Sequence, residues 1–228
     1  GAISSTTETD VNKIHKYNVE FSIALFEKAI EHSVPVKYAS SASVYGKIHS
    51  EYGYLKGTIN PLNFYALSKA TVDYWVMDNM DRFEQVQGFR YFNVYGEGEE
   101  HKGDQASPIS KFTKQAREND IIKIFEDSEY AFRDFVCVDD VVDVVLDNTA
   151  GSGIYDVGTG NPISFLEVAE LIAKKEGAEI EVIPFPKHLE GKYQEYTCAD
   201  TSWYSHDYTE AGLLYTSPSP RDQRGSRM

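Results

Sequence analysis

The sequence predicts an α/β fold built on a largely parallel sheet. Segments with helical spacing of apolar residues alternate with short runs of strand character along most of the chain, and several of those runs end in small-residue or glycine turns. Length agrees: 228 residues at 41% hydrophobic content suffice for one sizeable core, or for a core with a smaller lobe. No repeat period and no interdomain linker interrupts the alternation.

The elements follow in order. From Asp10 to His32 the apolar positions Ile14, Tyr17, Phe21, Ala24, Leu25 and Ile30 recur at mostly helical spacing, and Pro35 follows shortly after. PVKYASSASVYG, Pro35 to Gly46, reads as a short buried strand entering a small-residue turn, which is how such a sheet presents a site at a strand's carboxyl end. After the glycine-bearing loop HSEYGYLKG, a helix opens at NPLNFYALSKATVDYWVMDN, with Asn63 as N-cap and Phe64, Leu67, Tyr74 and Met77 among its apolar positions. VQGFRYFNVYG is a strand ending in a polar turn. There follow a helix near Ile109 to Arg117, a strand at IIKIF, a strand-to-helix unit at FRDFVCVDDVVDVVLDN, a strand at GIYDVG, a helix at ISFLEVAELIAKK and a strand at EIEVIPF. The polar segments Gly96 to Gly103 and Pro186 to Lys192 are excursions that can build a smaller lobe over the sheet.

The two ends differ from this pattern. GAISSTTETD reads as starting mid-domain, with no strand or glycine-rich turn ahead of the first helix. After Gly212 apolar periodicity stops, and residues 213–228 hold Arg221, Arg224 and Arg227 of the chain's seven arginines. That Ser/Pro/Arg run is expected to be a non-native or disordered tail.

Charge and composition exclude several functions. A formal charge of −14 argues against a nucleic-acid backbone as partner, because binding it needs clustered Lys and Arg that release counterions. The longest apolar runs, such as VVDVVL at Val141 to Leu146, are too short to span a bilayer, and no signal peptide opens the chain, so no membrane contact and a cytoplasmic location are expected. Cys137 and Cys198 form no C-x-x-C, and the six histidines form no H-x-H or H-E-x-x-H, so neither a disulfide framework nor a metal site is expected.

The chemistry centres on NFYALSK, Asn63 to Lys69. Tyr-x-x-x-Lys occurs twice, at Tyr52/Lys56 and Tyr65/Lys69, so the motif has meaning only through its context. Tyr52 and Lys56 lie in a glycine-flanked loop, whereas Tyr65 and Lys69 are one turn apart on one face of a helix. A free phenol has a pKa of about 10, and a nearby ammonium lowers it by stabilising the phenolate. A tyrosine so tuned can take a proton from a carbinol while hydride leaves the carbon. Ser40, Ser41 and Ser43, at a strand end upstream, can hydrogen-bond the same oxygen. The plainer readings are a helix-surface pair for Tyr65 and Lys69, and a strand-terminating backbone bond for Ser41.

SSASVYG, NFYALSK and GFRYFNVYG in that order resemble the extended short-chain dehydrogenase/reductase superfamily. SSTTE, RYFNVYGEGEEHKG, FEDSEYAFRDFV and FPKHLEGKYQEYTCAD are in addition similar to the ADP-L-glycero-D-manno-heptose 6-epimerase family, over Gly1 to about Gly212. The resemblance implies a partial Rossmann-like, doubly wound parallel sheet with a smaller substrate-binding lobe. Residues 1–92 and 133–150 would be the remnant of an NADP-binding domain lacking its glycine-rich N-terminal unit, and residues 93–132 and 151–212 mainly the substrate lobe. It implies an isomerase that epimerises C6 of ADP-D-glycero-D-manno-heptose to the L-glycero form by transient oxidation and re-reduction with NADP, homo-oligomeric when full length.

Site residues carry over one by one. Tyr65 would be the acid/base, Lys69 the residue that holds the cofactor ribose and tunes the phenol, and Ser41 the group that orients the reacting hydroxyl. Lys102 of HKG would be a second acid/base on the opposite side; read from its EGEEHKGDQ loop alone it is a solvated charge. Gly1, Ala2, Ile3, Ser4, Asn18, Val94, Lys69 and Lys102 would lie at the cofactor. Asn93, Asp104, Lys111, Phe125, Glu126, Asp127, Ser128, Arg133 and Tyr193, with Ser41, would line the nucleotide-sugar site. Arg133 is the natural diphosphate partner because its planar fork donates two bonds, the alternative being an ion pair with Asp134 or Asp139. Asp127 replaces the glycine of the family's FEGS, and Asp104 stands where the family has a small polar residue. With its glycine-rich turn placed before Gly1, the chain as given is expected to be inactive. The rival readings are another nucleotide-sugar epimerase, such as a UDP-glucose 4-epimerase, or a non-catalytic binding fragment.

Overall fold

A computed structural model of the chain describes residues 2–46, 58–187 and 194–208. Gly1, Tyr193, the Tyr52/Lys56 pair and residues 213–228 therefore lie outside the described residues, as do the side chains of Glu100 and Asp104.

Helix α1 (Val11–Ile14) is capped by Asp10, whose carboxylate accepts the Lys13 amide, and it runs through a π-helical segment (His15–Glu20) into α2 (Phe21–Glu31). Strand β1 (Val36–Ser41) passes into a 3₁₀ turn (Ala42–Tyr45). Helix α3 (Phe64–Asp78) starts at the cap that sequence predicts: Asn63 Oδ1 accepts the Ala66 amide at 2.8 Å. Then come β2 (Val86–Tyr91), β3 (Asn93–Tyr95), a 3₁₀ segment (Glu100–Gln105), α4 (Pro108–Asn119) and β4 (Ile121–Phe125). The chain continues through β5 (Phe132–Arg133), β6 (Phe135–Cys137), α5 (Val138–Asp147), β7 (Gly153–Val157), β8 (Ile163–Ser164), α6 (Phe165–Glu176) and β9 (Glu179–Ile183).

The α/β class and the parallel pairing follow the sequence. Strands β1, β2 and β7 form one parallel sheet in the order β1-β2-β7, and the register sets Ser41 against Tyr91 and Tyr91 against Val157. Three strand ends are thus level, and the turn carrying Ser41 leaves from that edge. The pairs β3-β6 and β4-β9 are also parallel, while β8, which lacks a sequence signal of its own, pairs antiparallel with β5. Val19, Phe26, Val72, Val76, Phe83 and Val86 form the core where the first helices meet the sheet. A separate core joins α4, β4 and α6 through Ile109, Phe112, Ile122, Phe165, Val168 and Ile172.

Two helices bury faces other than the ones their apolar spacing predicts. Of the predicted positions Ile14 is buried and Ile30 partly so, but Tyr17, Phe21 and Leu25 are 45–57% exposed, and Asn18, Val19 and Phe26 are buried instead. The wide π turn between Ile14 and Phe21 breaks the 3.6-residue phase on which the periodicity argument depends. In α3, Phe64, Leu67, Tyr74 and Met77 are exposed, while Ala66, Ser68, Ala70, Val72, Asp73 and Val76 are buried. Small side chains let this helix approach its neighbours closely, and the two polar ones find partners inside: Ser68 meets Asn18, and Asp73 meets β1 and β2.

Asp134, between β5 and β6, is fully buried. Its Oδ1 accepts the Thr159 amide and hydroxyl at 2.7 and 2.8 Å, and its Oδ2 accepts the Gly160 and Ala199 amides, both at 2.9 Å. One carboxylate thus gathers the loop after β7 and the segment around residue 199.

Gly46 closes the turn after β1 with φ +63°, and a Cβ placed there would lie 1.6 Å from the Asn60 carbonyl oxygen. Gly46→Ala is therefore expected to destabilise the chain by roughly 3 kcal/mol or more, read as a lower urea midpoint than wild type.

Candidate active site

Strand β1 and helix α3 bring the acid/base candidates together. The Ser41 side chain is near enough to the Tyr65 phenol to favour its ionised form, and the Lys69 Nζ sits 5.8 Å from the Tyr65 ring centroid. Lys69 Nζ also donates to the Ala39 carbonyl at 2.8 Å, so both ends of the Tyr-x-x-x-Lys turn are fixed to consecutive parts of one strand. Ser41 makes the strand-terminating backbone bond of the plainer reading. Its Oγ accepts the Ser43 amide at 3.2 Å, capping the 3₁₀ turn, lies 2.9 Å from the Ser43 hydroxyl, and still reaches Tyr65.

The electrostatics differ from the simple expectation that Lys69 lowers the phenol. Burial pushes the Tyr65 phenol up, and the Ser41 side chain only opposes that rise. Burial likewise pushes the Lys69 ammonium down, against the attraction of Asp73 one turn further along α3. Both groups sit partly inside the protein, and burial is the larger influence on each.

Asn18 extends the site toward the amino end. Its Oδ1 accepts the Ile3 amide at 2.7 Å, and its Nδ2 donates to the Ile3 carbonyl at 3.0 Å and to Ser68 Oγ at 2.9 Å. Ile3 is thereby tied, through Asn18 and Ser68, to the helix that carries Tyr65 and Lys69. Val94 packs against the core of Phe89, Val136 and Val157.

The remaining candidates lie on the other elements. Lys102 is in the 3₁₀ segment, half exposed, with its Nζ 3.8 Å from Glu99 Oε1. Glu99 is itself buried, and its Oε2 accepts the Ser107 amide at 2.7 Å at the start of α4, the helix that carries Lys111. Asn93 is fixed by its backbone, its amide donating to the Asp134 carbonyl at 2.9 Å. Phe125 ends β4 and meets Phe185 edge-on, and the Glu126 amide bonds the Ile183 carbonyl at 2.9 Å. Ser128 is buried, with its hydroxyl on the Phe125 carbonyl.

Arg133 is 5% exposed. Its guanidinium lies over the Phe165 ring, 5.3 Å from the centroid, and donates to the backbone carbonyls of Phe132 and Gln194. Gln194 in turn donates through Nε2 to the Gly46 carbonyl at 2.9 Å. This residue, which sequence reasoning passed over although it ends the KYQ motif, connects the Arg133 region with the turn that leaves Ser41.

The comparisons with known proteins bear on this geometry. Residues 2–158 match the model of the NAD dependent epimerase/dehydratase family. The chain belongs to that family. It is 43% identical over 214 residues to an ADP-L-glycero-D-manno-heptose-6-epimerase from Alkalilimnicola ehrlichii, an alignment that takes in 89% of this chain and 66% of the relative. It is 42% identical over 209 residues to the protein of that name from Brachyspira hyodysenteriae, across 88% of this chain and 65% of the relative. The chain thus spans just under two thirds of the length of these relatives. Among solved structures it resembles the Helicobacter pylori ADP-L-glycero-D-manno-heptose-6-epimerase, with a TM-score of 0.81, 28% identity, and coverage of 95% of this chain and 69% of that one. Among the described residues of this epimerase/dehydratase chain no helix is long and apolar enough to cross a membrane, and no group of three or more His, Cys, Asp and Glu side chains has metal-binding geometry.

The departure at Asp127 has a backbone cause. Its φ is +62°, the left-handed region where glycine is free of strain and aspartate is among the better-tolerated alternatives. Asp127→Gly is expected to leave stability within about 0.5 kcal/mol of wild type, whereas Asp127→Val should lose about 1–2 kcal/mol, both measured by denaturant unfolding.

Proposed function

We propose that this chain carries the acid/base machinery of an NADP-dependent epimerase that inverts C6 of ADP-D-glycero-D-manno-heptose to give the L-glycero epimer. The observation that carries the reading is the joining of Tyr65, Ser41 and Lys69 at the end of β1. The substrate is supported by the 42–43% identity to relatives bearing that enzyme's name.

The residues on the ribose side fit a nicotinamide dinucleotide. An ammonium has three donors, and the bond to the Ala39 carbonyl uses one, which leaves Lys69 able to hold ribose hydroxyls. Asn18 ties Ile3 to the same helix through Ser68. NADP, when bound, supplies the acceptor and donor of the hydride.

The protein's own groups then handle the protons. Ser41 holds the substrate hydroxyl against Tyr65, and the Tyr65 Oη takes its proton as hydride leaves the carbon. Burial raises this phenol and the Ser41 side chain opposes the rise, so on this reading forming the phenolate calls for a neighbouring cation, the part given to Lys69. Re-reduction on the other face of the keto intermediate needs a proton donor on that side, which is the role of the Lys102 Nζ, held by Glu99. Arg133 belongs to the nucleotide-sugar side, with Asn93, Phe125, Glu126, Ser128 and Lys111. The assembly is a cytoplasmic homo-oligomer on this reading.

In the full-length protein, Tyr65→Phe should lower turnover by at least about 100-fold while the cofactor still binds, followed by the fluorescence of bound NADPH. Wild-type turnover in this variant would sink the assignment. Lys102→Met should impair epimerisation, and an unchanged rate would return Lys102 to a solvated loop.

A further inference from the structure

Behind the Tyr65–Lys69 turn lies a connected set of buried polar groups. Asp73, one turn beyond Lys69 on α3, is 1% exposed. Its Oδ1 accepts the Tyr38 hydroxyl at 3.0 Å, and its Oδ2 accepts Ser40 Oγ and Arg90 Nε, both at 2.9 Å. Tyr38 and Ser40 flank Ala39, whose carbonyl is the acceptor for Lys69, and Ser41, the next residue, meets Tyr65. Arg90 stands opposite Ser40 in the β1-β2 register, and its Nη1 continues the set to the Tyr45 hydroxyl at 2.9 Å, which bonds Asp156 on β7.

A buried carboxylate is a costly way to attach a helix to a strand, and α3 already has Val72 and Val76 for apolar packing. What apolar packing lacks is direction. Three hydrogen bonds converging on one carboxylate allow a single register of α3 on β1, and that register brings Lys69 to Ala39 and Tyr65 to Ser41 together. We propose that Asp73 is a positioning residue for the Tyr65–Lys69–Ser41 site, holding both neighbours of the Ala39 carbonyl that Lys69 uses. The proposal rests on the acid/base reading of that site. Among the described residues, the charged and titratable groups linked around this turn include Tyr65 and Asp73 from α3, Tyr38 from β1, Arg90 from β2 and, through Arg90, Tyr45. Among them Asp73 is the group that opposes the effect of burial on the Lys69 ammonium.

The test is a double-mutant cycle in the full-length protein with Asp73→Asn, Lys69→Met and the pair. Asp73→Asn alone should lower kcat by about 10-fold with KM within about twofold, and should move the alkaline limb of the kcat–pH profile to lower pH. In the Lys69→Met background the same change should cost less than about twofold, since the group through which Asp73 acts is gone. Equal losses in both backgrounds, with an unmoved pH limb, would overturn the proposal and leave Asp73 a fold-stabilising residue. If Asp73→Asn does not fold, Tyr38→Phe and Ser40→Ala, each removing one donor from Asp73, serve in the same cycle. If the wild-type protein does not interconvert the ADP-heptose epimers, the functional reading fails. The cycle is then read on the Kd for NADPH, where non-additivity supports the positioning role and additivity overturns it.

Discussion

The Asp134 carboxylate is the contact on which the arrangement of the candidate site depends. It is fully buried, and a carboxylate without partners there would cost several kcal/mol. The donors that satisfy it come from Thr159, Gly160 and Ala199, so the loop after β7 and the returning segment near residue 199 are fixed where those donors must be. Gly158 lacks a side chain at the point where a Cβ would lie 2.7 Å from Asp134 Oδ2. The backbone around Asp134 then sets two candidate substrate residues: its carbonyl receives the Asn93 amide, and Arg133 precedes it.

A second constraint is the closeness of α3 to β1. The small side chains of α3 allow it, and Asp73 uses it to accept from Tyr38 and Ser40, while Ser68 meets Asn18 of the π segment. The bulky apolar residues of α3 face outward in consequence. Helical periodicity identifies a stripe but not the side on which the rest of the chain packs, and for α3 the informative residues were the small and polar ones. The π segment had the same effect on the first helix by breaking the phase between Ile14 and Phe26.

The legible parts of the site are those set by short-range geometry. Tyr65 and Lys69 are four residues apart in a helix, Asn63 caps it, and SSASVYG ends a strand, so their proximity follows from local structure. The link from Arg133 through Gln194 to Gly46 joins positions separated by 61 and 148 residues, and no local pattern announces it. Asp127 falls between: the sequence marks it as a departure from a glycine, and the positive φ gives the reason.

The sequence by itself determined the α/β class, the order of the elements, the Tyr-x-x-x-Lys helix with its cap, and the kinship with nucleotide-sugar epimerases. These depend on spacing within a helix or strand, which backbone hydrogen bonding imposes locally. Only the tertiary structure decided which helix faces are buried, that burial rather than Lys69 governs the direction in which the Tyr65 phenol moves, and that Asp73 ties α3 to the strand carrying Ser41. Desolvation and the pairing of buried polar groups depend on what packs against a residue from distant parts of the chain.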